Sequence, residues 1–125
     1  VTEYATRLVG LGPGLTPTGD DVLLGLLLAV AMPKSTLADH LPALRRVVDR
    51  AQTNDISRAA LRQAARGRTR RRLVDLLDAM ARGDSRPALN RLGRRVTAIG
   101  HTSGTDILVG LSAALSLESE LRGEQ

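Results

Sequence analysis

Apolar residues along this chain recur at helical spacing, and no stretch alternates apolar and polar positions as a half-buried strand would. Residues 22–32 are apolar all round apart from Gly25, which predicts a buried central helix from about Asp20 to Met32, halted by Pro33. Asp39 or Ser35 opens a second helix, with Pro42 in its first turn, with Leu41, Leu44, Val47 and Val48 on one side, and with its end near Gln52. Thr53-Asn54-Asp55 predicts the cap of a helix running through Ala65 and closed at Gly67. Thr69 caps the next, in which Leu73, Leu76, Leu77 and Met80 keep helical spacing up to Gly83. Asp84-Ser85 before Pro87 opens another, with Leu89, Leu92, Val96 and Ile99 on one face before Gly100, and a last helix runs from about Thr105 to Leu121. The expectation is one all-α domain over residues 1–125, with about six helices and a Gly/Pro-rich loop at 8–19.

Composition narrows this picture. With Tyr4 the only aromatic residue, the core has to be built from Leu, Val, Ile and Ala, which suits helix on helix. The absence of cysteine excludes disulfides, thiolate metal sites and cysteine nucleophiles. No stretch resembles a secretory signal, and the apolar run 22–32 falls short of the ~20 residues that a membrane span needs, so a cytoplasmic protein without membrane contact is expected.

The net charge of +5 raises the question of nucleic acid, but all of the 18 basic residues except Lys34 are arginine. The densest group, Arg66, Arg68, Arg70, Arg71 and Arg72, has no interleaved aromatics on which bases could stack. It reads as a solvated face or a subunit contact, and nucleic acid is not the expected partner.

Candidate chemistry is concentrated in a repeat. Thr18-Gly19-Asp20-Asp21-Val22-Leu23-Leu24-Gly25-Leu26 returns as Ser103-Gly104-Thr105-Asp106-Ile107-Leu108-Val109-Gly110-Leu111, with every matched pair 85 positions apart. Each copy leads from a hydroxyl and a glycine into an aspartate and an apolar helix, the makings of a polar helix entrance with free backbone donors. Asp21 and Gly25, like Asp106 and Gly110, are four apart and share a helix face. This predicts that the two helices cross near the glycines, so that loops 10–21 and 100–106 face one cleft. A small anion would bind through N–H groups near Gly14, Gly19 and Gly104, with Gly12, Thr16, Thr18, Asp20, Thr102, Ser103 and Thr105 lining the site. His101, Asp21 and Asp106 are the candidate catalytic groups. The alternative is a duplicated capping device in which Asp20, Asp21 and Asp106 satisfy helix amides. No metal-ligand pattern appears; Mg²⁺ could be held only through a few of these carboxylates with water and substrate oxygens, and no cofactor is expected. Gly10-Leu11-Gly12-Pro13-Gly14 is neither a dinucleotide fingerprint nor a Walker loop.

Residues 10–21 together with Gly100-His101-Thr102-Ser103-Gly104-Thr105-Asp106 resemble the AllH family, named for a subunit of the oxamate carbamoyltransferase of anaerobic allantoin breakdown, a branch of purine catabolism. Thr53-Asn54-Asp55-Ile56-Ser57 resembles the family's polar central segment, with Asn54-Asp55 in place of its Thr-rich form. The resemblance covers nearly the whole chain and corresponds to the C-terminal half of family members. It implies carbamoyl transfer between carbamoyl phosphate and an amide such as oxamate, with other subunits or copies of the chain as partners. Such chemistry needs donors for phosphate and carboxylate and a group that handles a proton. The alternative function is a non-catalytic assembly or anion-binding module.

Overall fold

The helix α2 (Thr18–Val30) is the element around which the others pack. A computed structural model, which describes residues 1–12 and 16–123, contains seven α-helices among those residues and no strand. In chain order α2 is preceded by α1 (Thr2–Leu8) and followed by α3 (Leu41–Asp49), α4 (Asp55–Ala64), α5 (Arg71–Arg82), α6 (Arg86–Thr97) and α7 (Ser103–Leu121), with a 3-10 turn at Ala38–His40 leading into α3. α2 touches α1, α3, α4 and α7, while α5 and α6 form a hairpin whose second arm leans on α7. Leu23, Leu27, Leu28 and Val30 of α2 share one core with Leu44, Val48, Leu61, Leu73, Val96 and Ile107. An apolar sequence on all sides thus becomes a helix buried on all sides.

Local signals set most helix ends. Asn54 caps α4 by accepting a hydrogen bond from the Ser57 amide (2.8 Å), and Ser85 caps α6 ahead of Pro87. Gly83 closes α5 in the left-handed conformation, φ 72°. Pro42 sits in the first turn of α3, which starts at Leu41 after the 3-10 turn rather than at Ser35 or Asp39. Arg70, not Thr69, is the N-cap of α5.

To the helices expected the structure adds α1, a short segment whose only fully buried side chain is Ala5, too little apolar pattern to be seen in the sequence. α7 does not match α2 in burial. It buries Gly104, Ile107, Gly110, Leu111, Ala114 and Glu118 along one stripe, while Val109 is 54% exposed. The far end of α7 is tied down by Glu118, which accepts a short hydrogen bond from Ser35, and by Arg122, which donates to the Lys34 carbonyl (3.0 Å).

α2 and α7 cross backbone against backbone. A Cβ on Gly25 would run into the Ile107 carbonyl oxygen, and one on Gly110 would run into the Val22 carbonyl oxygen. Both glycines are therefore required by the approach of the two helices rather than by their own dihedral angles.

Replacing either with alanine is expected to destabilise the fold. The helix-propensity gain of about 1 kcal/mol is outweighed by an overpacking cost of about 1–3 kcal/mol or more. Gly93 of α6 has open space where its Cβ would be, so Gly93→Ala should stabilise by about 0.5–1 kcal/mol. Denaturant melts of Gly110→Ala and Gly93→Ala should move in opposite directions, and a Gly110→Ala variant as stable as the parent or more so would rule out the tight crossing.

Candidate functional site

The crossing places the two repeated entrances side by side. Thr16, just ahead of α2, and Ser103, the first residue of α7, share a hydrogen bond between their hydroxyls at 3.0 Å. Thr16 also donates to Asp21 Oδ2 (3.2 Å), and the Ser103 side chain hydrogen-bonds the same carboxylate. Asp106 is close enough for its charge to act on Asp21, and so is the guanidinium of Arg70 from the start of α5. Thr16, Asp21 and Ser103 therefore form one hydrogen-bonded group drawn from both entrances, and the charges of Asp106 and Arg70 act on it.

Each entrance is built the same way. In the first, the Gly19 amide donates to the Leu11 carbonyl (2.7 Å), and in the second the Gly104 amide donates to the Ile99 carbonyl (3.1 Å). A Cβ at Gly19 would strike the Leu8 carbonyl, and one at Gly104 would strike the Val96 carbonyl. The expectation that the amides of Gly19 and Gly104 stand open to an anion is thus corrected, since the preceding helix-end loops already use them. Gly14 lies outside the described residues.

Asp20 does not spend its carboxylate on the amides of its own helix. Asp20, 2% exposed, accepts hydrogen bonds from the Gly10 amide at 2.7 Å and from the Thr53 hydroxyl in a short contact. It thereby fastens the loop after α1 and the loop before α4 to the first turn of α2. Gly10 fits this clamp because its φ is +71° and a Cβ there would press on the Gln52 carbonyl at 3.0 Å. Arg58 holds the Thr53 end by donating to the carbonyls of Ala51 (2.7 Å) and Thr53 (3.0 Å). The polar segment 53–57 therefore supports the first entrance and caps α4.

Asp21 is 5% exposed. Burial pushes its carboxyl above the ordinary value, and the charge of Asp106 pushes the same way; the hydrogen bonds from Ser103 and Thr16 and the charge of Arg70 pull it back. One oxygen of Asp106, Oδ2, is sealed from solvent without a hydrogen-bond partner among the described residues. Asp21 is thus a buried carboxyl biased towards its protonated form, with a second carboxylate near enough for its charge to act on it. Among the described residues no three His, Cys, Asp or Glu side chains gather as a metal site.

The other anticipated residues occupy the outer part of the entrances. Thr18 and Thr105 are exposed in the first turns of α2 and α7, Gly12 packs over the Thr18 backbone, and His101 and Thr102 are exposed in the loop before α7. Arg70 was not anticipated as a site residue. The sequence groups it with Arg66, Arg68, Arg71 and Arg72, and of these only Arg70 is seen to act on the charge of Asp21.

The profile of the family described as oxamate carbamoyltransferase subunit AllH matches residues 8–115, which span both entrances and the clamp. This chain belongs to the AllH family. Comparison with curated proteins gave no match, and comparison with solved structures gave none. In this AllH-family chain no described helix is long and apolar enough to cross a membrane.

The raised pKa of Asp21 has a consequence for stability. A carboxyl that is harder to ionise when folded adds nothing against the fold below its ordinary value of 3.8, and weakens the fold as pH rises through its higher folded value. Asp21→Asn keeps an acceptor for Thr16 and removes the charge. The variant should be more stable than the parent at neutral pH, with the difference closing below pH 3.8. Denaturant unfolding across that range would disprove the argument if the parent were the more stable at neutral pH.

Proposed function

We propose that this AllH-family chain is a component of a carbamoyltransferase-type enzyme and binds a small anion where its two helix entrances meet. The observation that carries this reading is the joining of the entrances: Thr16, Asp21 and Ser103 in one hydrogen-bonded group, with Asp106 and Arg70 beside it. The family's description as an oxamate carbamoyltransferase subunit supports the reaction class and supports other protein subunits as partners.

Arg70 supplies the charge that a carboxylate or phosphate requires, and the exposed hydroxyls of Thr18 and Thr105 supply neutral donors, while those of Thr16 and Ser103 are engaged with Asp21. His101 and Thr102, exposed at the rim, complete the binding loop. In carbamoyl transfer the amide nitrogen of oxamate forms a bond to the carbamoyl carbon, and the bond from that carbon to the phosphate oxygen breaks. The amide nitrogen gives up one proton and phosphate leaves with the electron pair. Asp21 takes that proton, because burial and the nearby charge of Asp106 both favour the protonated form of its carboxyl.

Thermal melts with oxamate or carbamoyl phosphate should show a saturable rise, approaching about 2.7 kcal/mol at a hundredfold excess over Kd. Arg70→Gln, Asp106→Asn and His101→Ala should leave the unliganded melt close to the parent's. They should also lose the ligand-induced rise or the activity of the complex reconstituted with its partner subunits. If Asp106→Asn and His101→Ala instead melt far below the parent while the folded fraction binds normally, these residues are structural and the reading fails. It fails equally if neither anion raises the melting temperature of the parent.

A further inference from the structure

On the side of the molecule defined by α1 and α3 there is a cleft of about 580 Å³, within the ~300–1,000 Å³ typical of small-molecule sites. Its walls are Thr2, Thr6 and Val9 from α1 and the loop after it, Arg46 and Val47 from α3, and Arg50 at the C-cap of α3. Arg46 and Arg50 are four residues apart, one helical turn, at the C-terminal end of α3. The other arginines around this helix are engaged: Arg45 donates to the Ala65 carbonyl at 3.3 Å, and Arg62 pairs with Asp49 at 3.0 Å. Among the described residues, Arg46 and Arg50 have no ion pair, and no acidic side chain lines the cleft.

Two uncompensated guanidinium groups over a concavity form a site for negative charge, because neither charge is neutralised from within the protein. The remaining lining sets the kind of anion. Val9 and Val47 offer apolar surface beside the charges, while the hydroxyl of Thr6 is turned to its own helix, donating to the Thr2 carbonyl at 2.9 Å. This combination suits a compact molecule with an anionic end and a short hydrocarbon body.

We propose that the cleft between α1 and α3 is a second anion site, distinct from the paired entrances. It takes a small carboxylate or phosphate compound with its charge between Arg46 and Arg50 and its apolar part against Val9 and Val47. The site uses none of the groups assigned to carbamoyl transfer, so it stands or falls separately from that function.

The test is residue-resolved NMR titration of the full chain with two probes, butyrate and inorganic phosphate. The amides of Thr6, Val9 and Val47 should shift saturably with at least one probe. Stronger binding of butyrate identifies a carboxylate with a hydrocarbon body as the preferred class, and stronger binding of phosphate identifies a phosphate compound. The exposed pair Arg46→Gln and Arg50→Gln, combined in one variant, should weaken these shifts by about tenfold or more, about 1.4 kcal/mol. Arg70→Gln should leave them unchanged. Shifts that survive the double substitution, that vanish in Arg70→Gln, or that fail to saturate at millimolar concentration with both probes would overturn the proposal. An unliganded melt of the double variant far below the parent's would overturn it too, because the arginines would then be structural.

Discussion

The contact between the backbones of α2 and α7 determines the rest of this structure. Helices that meet through ordinary side chains lie about 8–10 Å apart, and at that separation the first turns of α2 and α7 would not share hydroxyl hydrogen bonds. With Gly25 against the Ile107 carbonyl and Gly110 against the Val22 carbonyl, the axes come closer and the two entrances are drawn together. The Thr16–Ser103 bond and the proximity of Asp21 to Asp106 follow from that approach. Ser35, Glu118, Lys34 and Arg122 hold the other end of α7, so the helix is constrained at both the crossing and its far end.

The two entrances are copies whose roles have diverged. Both press a first-turn glycine onto a carbonyl of the preceding helix or loop, Gly19 onto Leu8 and Gly104 onto Val96. At the next position the copies differ, with Asp20 in the first and Thr105 in the second. Asp20 is consumed in binding Gly10 and Thr53, and this clamp steadies an irregular loop. Thr105 is exposed and bears no such duty. The position after that is acidic in both copies, and here the fold brings like charges together in a largely buried setting. Asp21 opposes stability when ionised, since burial and the charge of Asp106 both disfavour its charged form.

Much of the architecture was legible along the chain. Asn54, Ser85 and Gly83 mark helix ends through bonds or dihedral angles that involve only close neighbours, so their meaning does not depend on the fold. The crossing was legible for a different reason: a glycine inside an apolar helix is unfavourable unless another backbone needs the space, and the repeat supplied two of them in matching positions. α1 was not legible, because one buried alanine in seven residues makes no periodic pattern. The use of the Gly19 and Gly104 amides was hidden too. Their acceptors, Leu11 and Ile99, are carbonyls, which every residue carries.

By itself the sequence determined the all-α class, the central place of α2, the capping chemistry and the pairing of the two glycine-aspartate entrances. These rest on periodicity and on short-range bonds, both of which are properties of local order. Tertiary structure alone decided that Asp20 is a clamp, that the charges of Asp106 and Arg70 act on Asp21, and that Arg46 and Arg50 overlook a cleft. Each of these joins groups far apart in the chain, and the charge on a carboxylate or guanidinium carries no mark of which distant partner packing will bring to it.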